Sequence, residues 1–149
     1  DEVKVLGIDI SSEALELAKE NASLNQTQVS FQSIDILNDL PKIEERFDLV
    51  VSNPPYIDRS ETDQLQEEVI GFDPALALFA DNDGLKFYQR FAEILPELLI
   101  PSGHFFFEFG GSHQEKAVLN IFMEKGYQDL EIIQDYNGDP RIISGKYQP

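Results

Sequence analysis

The 149 residues suit a single ordinary domain, and no run of about 18 apolar residues is present to make a membrane-spanning helix. Twenty-eight acidic residues against eleven basic ones give a formal net charge of −17, a surface that repels phosphate backbones and also serves solubility. The absence of cysteine excludes disulfides, thiolate metal sites and cysteine nucleophiles. It suits a reducing cytoplasm, and the acidic start, DEVKVLGIDIS, lacks the features of an export signal.

Short apolar strands alternate with helical patterns along the chain, which predicts an α/β fold. The first strand is expected over Val3 to Ile8, ending at Asp9. Ser11 or Ser12 then caps a helix in which Ala14, Leu15, Leu17, Ala18 and Ala22 recur at helical spacing, with Glu13 near its positive end. Gln28 to Ser33 reads as the second strand and Phe47 to Ser52 as the third, apolar enough to be buried on both faces. The polar, irregular segment Ile57 to Asp83 is long enough to suggest a lid or substrate loop. Apolar spacing predicts a helix from Gly84 to Leu99, bent or restarted near Pro96, followed by a Pro-Ser-Gly turn. A fourth strand covers His104 to Phe109, and Ser112-x-x-Glu115 reads as a capping box for a helix stopping at Gly126. A hairpin closes the chain, its arms Gln128 to Gln134 and Arg141 to Tyr147 joined by Asn137-Gly138-Asp139-Pro140, so the last strand should run antiparallel to its neighbours.

Ligands of open α/β sheets bind beyond the carboxyl ends of the strands, where Asp9, Asp35 and Asn53 all fall. An acidic residue between a strand and a capped helix can grip the hydroxyls of a nucleoside ribose. Aspartate in such a place also serves as an ordinary turn former. Asn53-Pro54-Pro55-Tyr56 is more specific. Each proline restricts the residue before it to extended conformations, so the loop is stiff without glycine. The Asn53 side-chain oxygen and the Pro54 carbonyl are then two acceptors suited to a planar NH2 group. Such a nitrogen is a poor nucleophile because its lone pair is delocalised. Holding both hydrogens out of their original plane aims that lone pair and disperses the charge that develops on attack. Tyr56 would wall the pocket. The competing reading is a stiff turn or a proline-rich ligand, and the strand leading directly into the motif argues against an exposed, flexible ligand. His104 and His113 stand nine residues apart with no second metal-ligating side chain at a suitable spacing, so no metal is expected.

GIDIS, SIDILNDL and VVSNPPYI, with EEVIGFDPALALFA, GHFFFEFG and DPRIISGKY further on, resemble the class I S-adenosylmethionine-dependent methyltransferases. Within them the resemblance is to the HemK/PrmC-type protein-(glutamine-N5) methyltransferases of translation release factors, and it spans nearly the whole chain. In EEVIGFDPALALFA the acidic member of the family's Glu-Pro pair is Asp73, a small departure, and the closing strand supplies Arg141. The resemblance implies a Rossmann-like sheet, mostly parallel with an antiparallel C-terminal strand, and S-adenosyl-L-methionine as cofactor. Asp9 with Ile10 would hold its ribose, Asp35 with Ile36 its adenine, and Asn53 would border both cofactor and substrate. Asn53, Pro54, Pro55 and Tyr56 would hold a glutamine amide from the Gly-Gly-Gln loop of a peptide chain release factor, with no metal and no obligatory base.

The glycine-rich loop of this fold lies roughly 20 residues before the acidic strand end, whereas eight residues precede Asp9. A partial catalytic domain over residues 1–149 is therefore expected, without the first strand, the glycine loop or the helical recognition domain. The isolated chain should bind cofactor weakly. Two other functions stay open at this point: methylation of an amino group on adenine or guanine, against which the acidity argues, and a non-catalytic interaction domain.

Overall fold

The computed structural model describes residues 3–57 and 80–149, and the chain forms two compact units, Asp1–Glu44 and Glu45–Pro149. The segment between Ile57 and Ala80, including Asp73 and the rest of FDPALALF, lies outside the described residues, as does most of the expected substrate loop.

In the first unit, β1 (Leu6–Asp9) pairs in parallel with β2 (Ser30–Ser33), and α1 (Ser12–Leu24) connects them. Both strands are shorter than expected from apolar content, because the ladder runs only from Leu6 opposite Ser30 to Asp9 opposite Ser33. Val3 and Val5 precede the paired stretch and are exposed. Ser11 is the cap of α1: its hydroxyl accepts from the Ala14 N–H at 3.1 Å, satisfying one of the helix's free donors. Leu15 is the residue of α1 that is buried, whereas Leu17 stays 59% exposed. The helix ends in a Schellman turn, with Thr27 N–H on the Ala22 carbonyl at 2.9 Å and Gln26 N–H on Ser23 at 3.1 Å. Gln26 takes the left-handed conformation there, with φ 54°.

The second unit is a four-stranded sheet in the order β3-β4-β6-β5, built from β3 (Phe47–Ser52), β4 (Leu99–Glu108), β5 (Gln128–Gln134) and β6 (Pro140–Lys146). β3 is parallel to β4, whereas β6 runs antiparallel to both β4 and β5, as expected of the closing hairpin. Helices α2 (Lys86–Leu98) and α3 (Ser112–Glu124) supply the core partners of the sheet. Phe105 and Phe107 point to one face of β4, Phe109 follows just past its end, and all three are fully buried. Phe107 stacks on Phe91 of α2 with ring centroids 4.6 Å apart, and Phe105 stacks on Phe122 of α3 at 4.7 Å. Tyr127 closes the cluster edge-on to Phe105 at 5.5 Å.

Four expectations are corrected in this unit. β3 is not buried on both faces: among the described residues it is one of the two edge strands of its sheet, and Leu49 and Val51 are 51% and 66% exposed. Of the two alternatives at Pro96, a bend or a restart, the restart is excluded, since α2 runs through Pro96 to Leu98 as one helix. The carbonyl that the missing proline N–H would have served, that of Ala92, takes the Tyr127 hydroxyl at 3.0 Å instead. The Pro-Ser-Gly stretch is not a separate turn, since β4 begins at Leu99 and absorbs it as an irregularity between the pairs Phe47/Leu99 and Leu49/His104. The capping box does not form either. Gly111 is the N-cap of α3, at φ 104° where a side chain would be strained, so Ser112 is already inside the helix. The stop of α3 at Gly126 is as expected, again a Schellman turn with Tyr127 N–H on Phe122 and Gly126 N–H on Met123. Among the described residues no helix is long and apolar enough to cross a membrane.

Candidate functional site

The sequence-predicted site residues fall in both units, and each set is built by its own strands. In the first unit the parallel pairing of β1 and β2 brings Asp9 and the residues leading to Asp35 to one carboxyl-end rim, where the Ile34 N–H donates to the Asp9 carbonyl at 2.9 Å. The Asp9 carboxylate is exposed and its Oδ1 accepts from the Ser11 N–H at 2.8 Å. Asp9 thus serves the turn into α1, and its Oδ2 is left to accept from a hydroxyl. Ile10 beside it is 52% exposed, an apolar surface at the same rim.

Asp35 is half-buried and organises the loop after β2. Its Oδ1 accepts from the Leu37 N–H at 3.1 Å and its Oδ2 from the Asn38 amide at 2.6 Å, while its carbonyl takes the N–H groups of Asn38 and Asp39. Carboxylate oxygens held this way still have lone pairs for a further donor such as an aromatic amine. Ile36 is half-buried next to it. These acceptors and apolar surfaces fit a nucleoside, with an exposed carboxylate for hydroxyls, a second for an amine, and isoleucines for the flat faces of a base.

In the second unit β3 ends at Ser52, opposite Phe107, and delivers Asn53 to the carboxyl-end rim one residue beyond the ladder. Asn53 is exposed, Pro54 is buried, and Pro55 and Tyr56 are half-buried. The buried Pro54 anchors a motif whose leading asparagine faces outward. Tyr56 turns its hydroxyl to the Glu108 carboxylate at the end of β4, at 3.4 Å. Partial burial, reinforced by that carboxylate and opposed by the Arg141 charge, raises the Tyr56 phenol above its ordinary pKa, so it remains a neutral donor. Tyr88 of α2 donates to the Glu108 backbone carbonyl at 2.7 Å, and burial raises its phenol as well. Arg141 reaches the Phe109 carbonyl at 3.3 Å and Asp135 at 3.5 Å, which ties the start of β6 to the end of β4. The Asp135 carboxyl is held below its usual range, first by the Asp139 backbone N–H.

The last motif residue is fixed from behind. The Tyr56 carbonyl accepts from the Gln114 side chain at 2.8 Å, and the Ile57 carbonyl accepts from the Ala80 N–H at 2.9 Å. Reading the sequence missed Gln114, Glu108 and Tyr88. Glu108 is legible as a polar residue closing an apolar strand, whereas Gln114 stands among other polar residues in the first turn of α3 and carries no local signal.

A family model described as a methyltransferase domain matches residues 1–124 of this chain. The release factor glutamine methyltransferase of Lactococcus lactis subsp. lactis (strain IL1403) is 45% identical over 139 residues, covering 93% of this chain and 50% of that protein. The chain spans about half the length of the curated relatives it matches. Among solved structures, a methyltransferase from Pyrococcus furiosus superposes with a TM-score of 0.69 at 17% identity, over 98% of this chain and 64% of that one. The N-methyltransferase NodS from Bradyrhizobium japonicum WM9, in complex with S-adenosyl-l-homocysteine, gives 0.57 at 16% identity, over 98% and 67%. At those identities the likeness shows the fold.

Proposed function

The chain belongs to the methyltransferase domain family, and from that premise we propose that it is part of an S-adenosylmethionine-dependent enzyme that methylates the side-chain nitrogen of a glutamine. The substrate on this reading is the Gly-Gly-Gln loop of a peptide chain release factor, and the place of action is the cytoplasm. The observation that carries it is the motif Asn53-Pro54-Pro55-Tyr56 at the end of a strand, with Asn53 exposed, Pro54 buried and Tyr56 held by two side chains. The 45% identity to a release factor glutamine methyltransferase supports the choice of substrate, and the acidity of the chain is compatible with a protein partner.

Asp9 and Ile10 would hold the ribose of the cofactor, and Asp35 with Ile36 its adenine, which their free lone pairs and apolar surfaces suit. Asn53 would border the cofactor and bind substrate, and Pro54, Pro55 and Tyr56 would complete the substrate pocket. When bound, S-adenosylmethionine supplies an electrophilic methyl group on a sulfonium. The Asn53 side-chain oxygen and the Pro54 carbonyl would accept the two hydrogens of the glutamine amide. That geometry would weaken the amide resonance and aim the nitrogen lone pair out of the amide plane. The Asn53 side-chain oxygen and the Pro54 carbonyl would also stabilise the positive charge that develops on that nitrogen during methylation. Its proton leaves to water once the resonance is lost, so no side-chain base is required. Tyr56, neutral and donating to Glu108, walls the pocket rather than exchanging a proton.

The test offers full-length protein a release factor and an oligonucleotide in parallel, with methyl-labelled S-adenosylmethionine. Label on the release-factor glutamine is expected. Label on the oligonucleotide would make this a base methyltransferase, and no label on either would leave an interaction domain.

A further inference from the structure

Gln114 occupies the third position of α3 and is 3% exposed, and its side chain is bonded to backbone groups of three separate segments. Its Oε1 accepts from the Gly110 N–H at 2.9 Å, beyond the end of β4. Its Nε2 donates to the Tyr56 carbonyl at 2.8 Å and to the Asp83 carbonyl at 3.0 Å. A neutral amide has two N–H donors and one acceptor oxygen, so both donors are engaged and the acceptor is used. Gly84, at φ 77°, lies against the same two atoms: a Cβ there would collide with the Tyr56 carbonyl oxygen and with Gln114 Nε2. The turn before α2, the end of the proline motif and the start of α3 therefore meet on one buried amide.

We infer that Gln114 is a positioning residue for methyl transfer, setting the orientation of the Asn53-Pro54 acceptor pair by clamping the Tyr56 carbonyl. The physical reason is specific to this loop. Prolines at 54 and 55 carry no N–H, so two residues of the motif cannot be tied down through donors of their own backbone. What stiffens Asn53 and Pro54 internally is the ring geometry, but what orients the stiff unit is its attachment: to β3 before Asn53, to the interior through the buried Pro54, and to Gln114 at Tyr56. β3 holds the motif at one end and Gln114 at the other. Tyr56 is thus gripped at both of its polar ends, the hydroxyl by Glu108 and the carbonyl by Gln114. Only a neutral amide serves as this clamp, because a carboxylate of the same shape would turn acceptors toward two carbonyl oxygens.

This inference rests on the reading of Asn53 and Pro54 as the amide-binding pair, and its test separates the two. In full-length protein, Gln114→Glu keeps the length and shape and removes both donors, Gln114→Met keeps the length and removes all polarity, and Gly84→Ala drives a Cβ against both the Tyr56 carbonyl and Gln114 Nε2. Two quantities are read: backbone hydrogen exchange at Tyr56 and Ile57, and methyl transfer to release factor resolved into kcat and cofactor Kd. The expected result is faster exchange at Tyr56 and Ile57, joined in Gln114→Met by Gly110, whose N–H loses its acceptor, and a kcat lower by about 100-fold, the scale of a misplacement near 1 Å, with cofactor Kd within about twofold and Gly84→Ala reproducing the loss of kcat. A folded Gln114→Glu or Gln114→Met with unchanged kcat overturns the inference. So does a parallel loss of thermal stability, cofactor affinity and kcat in all three variants, which marks an ordinary fold contact. If wild-type protein transfers no methyl to release factor, the functional reading fails, and the exchange at Tyr56 and Ile57 alone decides the clamp.

Discussion

The Tyr127 hydroxyl donates to the Ala92 carbonyl at 3.0 Å, and Ala92 is the residue whose helical partner Pro96 has no N–H to give. Tyr127 stands just past the glycine that ends α3, so one helix's stop signal supplies the donor that another helix's proline withholds. Burial raises the Tyr127 phenol above its ordinary pKa, in keeping with a hydroxyl committed as donor. Tyr127→Phe should therefore cost about 1–2 kcal/mol, the cost of leaving a buried carbonyl unsatisfied. In a Pro96→Ala background the helix N–H is restored, and the same substitution should cost clearly less. Urea denaturation of the four proteins closes the double-mutant cycle, and additive costs would refute the link.

Asn53→Ala should lower methyl transfer by at least about 100-fold, as loss of one preorganised polar contact to the reacting group does. Stability should change little, because Asn53 is exposed. The measurement is labelled methyl transfer to release factor alongside a thermal melt, and retained activity would remove Asn53 from the reaction.

Asp9→Ala should weaken cofactor binding without abolishing folding. It removes both the oxygen free for a ribose hydroxyl and the one that serves the Ser11 N–H, the latter a turn contact worth about 1 kcal/mol. Calorimetric titration of full-length protein with S-adenosylmethionine reads this directly. An unchanged Kd would mean that Asp9 is a turn former alone.

The buried Tyr88 phenol predicts an alkaline limb in stability. Its pKa is raised in the folded protein, first by burial, so its contribution is complete below the unfolded value of about 10. As pH rises beyond that value the unfolded chain loses its proton first, and unfolding becomes easier. Tyr88→Phe should be less stable at neutral pH, because the Glu108 carbonyl loses its donor, but should show a shallower fall in Tm between pH values of about 9 and 11. Parallel slopes in the two proteins would contradict this.

Gln26 closes α1 at φ 54°, a conformation that side chains disfavour, and it is exposed. Gln26→Gly should stabilise the protein by up to about 1 kcal/mol, seen as a higher urea midpoint with an unchanged slope. A lower midpoint would mean that the glutamine side chain has a contact worth more than the strain.

What the sequence determined by itself is what depends on neighbours along the chain. Local patterns reproduced the strand Phe47–Ser52, the arm Gln128–Gln134 and the Gly126 stop, and narrowed the cap of α1 to Ser11 or Ser12, of which the structure uses Ser11. The stiffness of Asn53-Pro54-Pro55-Tyr56 was likewise readable, since it is built into the proline rings. Tertiary structure decided the rest. α2 passes through Pro96 because a tyrosine 31 positions later satisfies the freed carbonyl, and no local rule contains that distance. The capping box at Ser112 gave way to Gly111, and Gln114 two residues on, silent in the sequence, became the point where three segments meet. A hydrogen bond across 58 positions leaves no periodic trace, because its two ends are chosen by packing and not by spacing.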